Sequence, residues 1–466
     1  MKTIGMPATY GPEFLSTNLR GSASERRPHG NSESITSCPF HSDAGAEGRK
    51  NAATSVETPS RELPSKHVFD GDMFDARLMD PETLQRPYAL YSNLGKCKPV
   101  FWSNAMSRWL VTTHEHVREV LRDTERFSSQ VGVQMFPREH WLMMRPVTNE
   151  LAKMMIFSDG ESHRGLRCMM RHVFDANAMK SLSPLIQQTA DRLLSQLPQR
   201  TELLSSYSET IPVAVIAHVL GLPERDMPKL HKMATQWVNA TAVYGNRTAM
   251  LRGLKSMWGL HKYFSRHNAS KRKKPGNDLI SRLVGLQSEY GFSDDVLVAQ
   301  AILLFVTGHE TVQSTIASGC YLLSKHPQIV QQAVSGNILW KSIVEEVLRF
   351  ESPAQATMRI ATQDSDIAGV AIRKGDGVVA GLAAANRDPT VFERPDEFNP
   401  QRKPNRHLAF GFSTHACPAA LLGREEIRVG LSMLFERYPN LKVDCTPRWT
   451  TRHNFRTVVE LPVTLW

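Results

Sequence analysis

The chain lacks any apolar run long enough to cross a bilayer. Its densest stretch, Ala301 to Val306, falls far short of the roughly 18 residues a spanning helix needs. Its first residues, Met1-Lys2-Thr3-Ile4-Gly5-Met6-Pro7, lack the apolar core of a secretory leader. A soluble, cytoplasmic chain with no membrane anchor is the expectation. The six cysteines, at 38, 97, 168, 320, 417 and 445, show no paired spacing and no Cys-x-x-Cys. That argues against a zinc site of the usual spacing and against a disulfide framework, and points to a reducing compartment. No glycine-rich phosphate loop follows a strand, so no nucleotide-binding module is expected. There is no internal repeat. Nothing resembles a nucleic-acid-binding motif, despite a net charge of +10. The densest basic cluster, Lys271-Arg272-Lys273-Lys274, sits beside Pro275-Gly276 and reads as a solvated loop.

Hydrophobic residues make up 41% of the 466, enough for a large core. They are unevenly spread. Residues 1–66 are rich in Ser, Gly, Pro and Thr, the composition of a disordered tail. Cys38-Pro39-Phe40-His41 reads as an ordinary part of it. From about Phe69 the pattern changes. Strand-like alternation runs from Val100 to Thr112, and a helical stretch from Glu115 to Leu121. Helical periodicity then dominates in Leu185–Leu197, Asp295–Leu323, Ile329–Phe350 and Leu421–Tyr438. Ser293 or Asp294 is placed to cap the longest helix. Strand character returns over Ile367–Val379, interrupted by Gly369 and Gly375, and over Val458–Leu465. The prediction is one domain over 67–466, mostly α with small β-sheets (α+β).

The densest chemistry lies in Phe410-Gly411-Phe412-Ser413-Thr414-His415-Ala416-Cys417-Pro418-Ala419. A loop of small residues runs into an apolar helix, with Cys417 at the junction. The helix dipole and free N–H groups there favour a thiolate, the form that binds metal. An isolated cysteine would more often be a small core residue. Three other segments bear on the choice. In Glu346-Val347-Leu348-Arg349 the acid and the base share a helix face, as either an exposed pair or a buried one. In Thr307-Gly308-His309-Glu310-Thr311 an acid and hydroxyls follow a wholly apolar run; by themselves they would face solvent or bond back to the helix. In Asp159-Gly160-Glu161-Ser162-His163-Arg164-Gly165-Leu166-Arg167 the residues His163 and Arg167 lie four apart, and taken alone would be surface cations.

Together these segments resemble, in order and spacing, the signatures of the cytochrome P450 family in its soluble bacterial branch, over roughly residues 70–466. Phe410, Gly411, His415 and Cys417 match the haem-binding signature, while Ser413 and Ala419 stand where it has its second and third glycines. The resemblance implies the triangular, mostly helical P450 fold around haem b, with Cys417 as the metal ligand. It implies haem contacts from Phe410 and Gly308, and propionate binding by His163, Arg167, Arg359 and His415. Glu346 and Arg349 would brace the core, and Glu310 and Thr311 would deliver protons to dioxygen. Thr307 replaces a small apolar residue and adds a hydroxyl to that catalytic group. The Ala385-Asn386-Arg387-Asp388-Pro389 and Pro395-Asp396-Glu397-Phe398-Asn399-Pro400 segments are also similar to the family.

The implied activity is monooxygenation of a mostly apolar small molecule, in bacterial secondary metabolism or catabolism. With no fused flavin or iron–sulfur segment, the electrons would come from a separate ferredoxin and its reductase. The chain would act as a monomer. Two alternatives stay open: oxidation or oxidative coupling of a substrate tethered to a carrier protein, and a non-catalytic haem-binding or sensor role. Residues Val131–Met155, Leu303–Thr307 and Ala354–Met358 are expected around the substrate, with Met135, Phe136, Trp141, Leu142, Met143 and Met144 as an apolar cap. Pro418 has no N–H to offer the sulfur, which predicts a more electron-rich thiolate.

Overall fold

The apolar periodicity after Ser293 produces one continuous helix, Asp294–Ser324, and the architecture is arranged around it. Ser293 caps it by accepting from the Val296 N–H, while Asp294 and Asp295 complement the dipole in the first turn. The helix is long and apolar enough to cross a membrane. However, 67% of its most apolar stretch is buried inside the protein, as befits a core helix. Helices Thr210–Leu220, Arg247–Lys273, Trp340–Phe350 and Ala420–Arg437 pack against it. This computed structural model describes residues 70–466 except 137–139 and 243–246. The proposed tail, with its Cys38–His41 segment, lies outside the described residues.

The sheets are small and lie to the side of the helices. Strands β1 (Val100–Ser103), β2 (Arg108–Val111) and β3 (Phe127–Ser128) come first, and β4 (Arg200–Glu202) follows. Then come β5 (Thr357–Ala361), β6 (Ser365–Ile367), β7 (Val370–Ile372) and β8 (Gly377–Ala380). The last are β9 (Lys442–Val443) and β10 (Pro462–Thr464). One sheet has the order β1-β2-β8-β5-β3, with only β2 and β8 parallel. A second has the order β4-β10-β9, and β6-β7 is a separate hairpin. The hairpin turns through Ala368 and Gly369, both at positive φ, so Gly369 marks a turn as its position suggested.

Three expectations shift. The helical pattern over Ile329–Phe350 is two helices, Pro327–Val334 and Trp340–Phe350. Gly336, at φ +80°, breaks the run, because a left-handed residue cannot continue a right-handed helix. The helix expected to reach Leu197 ends at Leu194. The strand expected from Val458 contracts to β10, since Val458 makes only an isolated bridge to Trp449.

Candidate active site

The signature loop ends in a short turn of 3-10 helix, Ser413–His415, and the following helix starts at Ala420. Cys417 therefore lies just before the helix rather than in its first turn. Its own N–H donates to Phe410 O at 2.8 Å, which closes the loop under the thiol. Gly411 has φ +72°, which its missing side chain allows. Ser413 has φ +61°, and here a serine carries a conformation that glycine would adopt at less cost. Ala419, at φ −94°, needs no such concession.

Cys417 opens onto a cavity with about 1680 Å³ of space free of protein atoms. The opposite wall is the long helix, which contributes Leu303, Leu304, Thr307, Gly308 and Thr311. Gly308 is tightly placed: a Cβ there would lie 3.0 Å from Ile216 Cδ1, so its absence lets two helices meet at the cavity. The Thr307 hydroxyl donates back to Leu303 O at 2.8 Å, and Thr311 to Thr307 O at 3.3 Å. Each hydroxyl keeps its lone pairs for a donor in the cavity.

Glu310 is not part of this wall. It bonds to Arg452 and lies 3.3 Å from the Thr457 hydroxyl. Burial pushes its carboxyl up, but the Arg452 charge and hydrogen bonds outweigh that and hold it below the ordinary value. The structure thus brings Thr307 and Thr311 to the thiol's cavity and turns Glu310 away. Arg452 and Thr457 lie in the irregular C-terminal region, where no local sequence pattern marks them as partners of Glu310.

The cations converge at one end. His163, Arg167, Arg359 and His415 all line the cavity. The His163 and His415 rings stack with centroids 4.0 Å apart. His415 Nε2 reaches Ser129 Oγ (3.1 Å) and Asp159 Oδ1 (3.4 Å), and Arg167 donates to Ala416 O. Arg359 Nη1 donates to Met358 O and Thr357 Oγ1. His163 Nε2 and Arg359 Nε are buried without a hydrogen-bond partner. Burial, with the nearby His415 ring and Arg167, pulls His163 down to about 4, and burial lowers Arg359 to about 10. Cations crowded together out of water are costly unless an anion joins them.

Burial raises the Cys417 thiol, while the Ala419 N–H and the Arg167 and Arg424 guanidiniums favour its thiolate. Pro418 donates nothing, so the hydrogen bond to the sulfur comes from the next residue along. Haem would bring a metal for that thiolate and two carboxylates for the orphaned donors. In ligand chemistry, charge and cavity size, the residues present fit it. Phe410 also lines the cavity, with the Arg424 guanidinium 4.4 Å from its ring centroid.

Glu346 and Arg349 are fully buried and face none of this space. Two 2.8 Å bonds join them. Arg349 also donates to the carbonyls of Asn386, Pro395 and Glu397, and Glu346 accepts from the Asn399 N–H and Asn405 Nδ2.

The expected apolar cap is not formed. None of its six residues lines the cavity: Met144 is in the core and Leu142 is 85% exposed. The Trp141–Leu151 helix turns its Met144, Val147 and Leu151 stripe inward. Among the described residues of Val131–Met155 only Met155 lines the cavity; Phe174, Val215 and Phe455 are among its other wall residues, together with Pro353, Ala354 and Ala356. Glu426, between Glu425 and Ile427 on the Ala420–Arg437 helix, is a further wall residue that the sequence did not single out. Burial pushes its carboxyl well above the ordinary value, and Oε2 has no partner.

Comparison with known proteins points to one family. The sequence profile described as Cytochrome P450 matches residues 259–460. The chain is similar to the biotin biosynthesis cytochrome P450 of Bacillus subtilis, 31% identical over 82% of this chain and 97% of that protein. Nocardicin C N-oxygenase of Nocardia uniformis is 34% identical over 76% of this chain and 89% of that protein. Among solved structures, P450BioI in complex with an acyl carrier protein ligated with hexadec-9Z-enoic acid superposes with a TM-score of 0.78. It is 30% identical and covers 83% of this chain and 99% of that one.

Proposed function

The chain belongs to the cytochrome P450 family and is a haem-binding monooxygenase, and from that premise we propose which residues act and on what. Cys417 is the thiolate ligand, with the Ala419 N–H as its hydrogen-bond donor. His163, Arg167, Arg359 and His415 would hold the two propionates by charge-assisted bonds. Phe410 and Gly308, which line the same cavity, would border the macrocycle. When bound, haem supplies dioxygen activation and the oxidation of a carbon–hydrogen bond.

The protein's own contribution is placement and protons. Leu303, Ala354 and Phe455 exclude water and orient an apolar substrate. Thr307 and Thr311 present hydroxyl oxygens that hold water in the cavity. Glu310, ionised and paired with Arg452 outside that wall, would relay protons to Thr311 only after leaving Arg452. Glu346 and Arg349 act at a distance by fixing the chain that leads into the signature loop.

The observation carrying this reading is that one cavity unites a thiol, two helix hydroxyls and four basic side chains, with buried nitrogens of His163 and Arg359 left without a partner. The substrate is a mostly apolar small molecule. The electrons come from a ferredoxin and its reductase as separate chains, and the protein works as a monomer in the cytoplasm. A carrier-tethered acyl substrate is the second reading, favoured by the likeness to P450BioI in its carrier-protein complex.

The test supplies the purified holoprotein with ferredoxin, reductase, NADPH and labelled dioxygen. Free fatty acids and their carrier-bound forms serve as candidates. Labelled oxygen in product from the free acids supports the first reading; product from the carrier-bound forms alone supports the second. The absence of both NADPH oxidation above background and product from any candidate favours the sensor role.

A further inference from the structure

Two glutamates stand side by side on the Ala420–Arg437 helix and have opposite surroundings. Glu425 accepts from Arg428 at 2.7 and 2.8 Å and from Ser183 at 2.7 Å, and these bonds hold its carboxyl below the ordinary value. Glu426, about 100° further round the helix, is 2% exposed and lines the thiol's cavity. Its Oε2 has no hydrogen-bond partner.

The wall leaves room for this carboxyl and offers it no donor. Gly423, one turn earlier, has no side chain; a Cβ there would lie 3.7 Å from Phe410 Cε1 and 3.8 Å from Val312 Cγ2. Helical side chains lean toward the N-terminus, so Glu426 leans over this gap, toward the helix end that Cys417 precedes. Thr315, in the same cavity wall, donates its hydroxyl to Thr311 O at 2.8 Å. The described charged groups on the helices packed against this one are paired elsewhere or exposed. Asp191 pairs with Arg437, Glu310 with Arg452, Glu345 with Arg424 and His407, and Glu346 with Arg349. Arg192, His218 and Lys341 are exposed. His309 is bonded to Phe305 O, and burial keeps Cys320 a neutral thiol. Neither these nor the cavity's four basic side chains act on Glu426, whose carboxyl is raised by burial alone.

A buried carboxylate without a partner is far costlier than the neutral acid, so Glu426 is a carboxylic acid at neutral pH. Reduction of haem in the same cavity adds an electron there. A second negative charge in one desolvated space disfavours ionisation further. The coupling is reciprocal: what the electron does to proton affinity, the proton does to electron affinity.

We propose that Glu426 is a redox-linked proton site: its carboxyl holds a proton more tightly once the haem in this cavity is reduced. Where Glu426 starts ionised, one proton from water joins its carboxylate while one electron, from the ferredoxin or from dithionite in vitro, converts ferric to ferrous iron. Glu426 touches no reacting atom and is a positioning residue that acts through the cofactor's potential. The inference rests on the reading of this cavity as the haem site.

The test measures the reduction potential of the substrate-free holoprotein by dithionite titration from about pH 6 to about pH 10. Parent and Glu426→Gln are compared, because glutamine keeps the neutral shape and cannot ionise. The parent potential should fall above neutral pH by up to about 59 mV per pH unit, the value for one proton per electron. The fall should span about one pH unit, a roughly tenfold gain in proton affinity on reduction. His163 titrates in both proteins, so the difference between the two curves is what is read. Glu426→Gln should keep the acid-side potential of the parent and lose the fall, and Glu426→Asp should restore one. Redox infrared difference spectra with carbon-13-labelled glutamate give a second reading should the glutamine variant fail to bind haem. A labelled carboxylic-acid band should grow on reduction within that pH window and vanish in Glu426→Asp.

Superimposable profiles for parent and glutamine variant, a constant offset between them at every pH, or no growing band would each overturn the proposal. If the parent gives no thiolate-ligated ferrous–CO spectrum, the reading of the cavity falls, and this inference with it.

Discussion

Two polar clusters in this protein are equally buried and oppositely built. Around Glu346 and Arg349 nearly every donor and acceptor has a partner, from each other and from the backbone of Asn386, Pro395, Glu397 and Asn399. Around His163 and Arg359, buried nitrogens have none. The first cluster is complete as folded; the second is completed by something that is not protein. Satisfied burial marks structure, and unsatisfied burial beside a cavity marks a binding site. That difference explains why two sets of buried charges should respond in opposite ways to mutation.

The sharpest way to break the comparison is at the ligand. Cys417→Ala should eliminate the thiolate-ligated ferrous–CO spectrum completely while leaving the fold near its original thermal stability. A retained spectrum would remove Cys417 from its role. Next in size, Arg349→Met strands a carboxylate in the core. It should cost about 3–5 kcal/mol in denaturant unfolding.

His163→Ala should do the reverse. In the apoprotein it should cost under about 1 kcal/mol, because its buried Nε2 bonds nothing; in the holoprotein haem should dissociate roughly tenfold faster. Equal losses for His163→Ala and Arg349→Met in the apoprotein would erase the distinction. The pH dependence gives a second reading. His163 is depressed to about 4 in the fold, from an ordinary 6.5. Its contribution to apoprotein stability is therefore full above pH 6.5 and declines as the pH falls toward 4. Propionates should raise the His163 value, which NMR titration of apo and holo forms can follow.

Arg452→Met probes a cluster of intermediate type. It should cost about 1–3 kcal/mol at neutral pH, because Glu310 loses its main partner. The Glu310 carboxyl is held below its ordinary value, so its contribution is present at neutral pH and lost as the pH falls through its folded value. The deficit of the variant should shrink in acid, and denaturation at two pH values checks this. The smallest effect belongs to Ser413→Gly. Relief of the left-handed serine should stabilise the protein by about 1 kcal/mol, seen as a raised melting temperature.

Much of this was legible in the sequence, and unevenly so. The long helix was clear because its apolar run, its cap and its length all agree. Cys417, His163 and Arg167 were found because they sit within short segments whose spacing survives in one dimension. The cavity wall was harder. Phe455, Arg452 and Thr457 come from a C-terminal stretch that packs on the long helix from far along the chain, and no local period records that contact. Met144 and Leu142 were misplaced because a mixed apolar stretch does not state which of its faces meets the core. The break at Gly336 was hidden by apolar residues on both sides that kept helical spacing across it.

One consequence of the Arg349 cluster concerns how the chain is policed rather than how it reacts. Between Asn386 and Phe412 no helix or strand forms, so a long meander leads directly into the haem loop. Much of its path is fixed by one guanidinium and one carboxylate. Such a segment behaves as a fuse. While the pair is intact, proteases meet a chain pinned to the body of the protein; once it opens, they meet an extended strand of the kind they cut most readily. Loss of that pair would then register as cleavage within 386–412, and damaged copies would be cleared from the cell at the very segment that delivers Cys417.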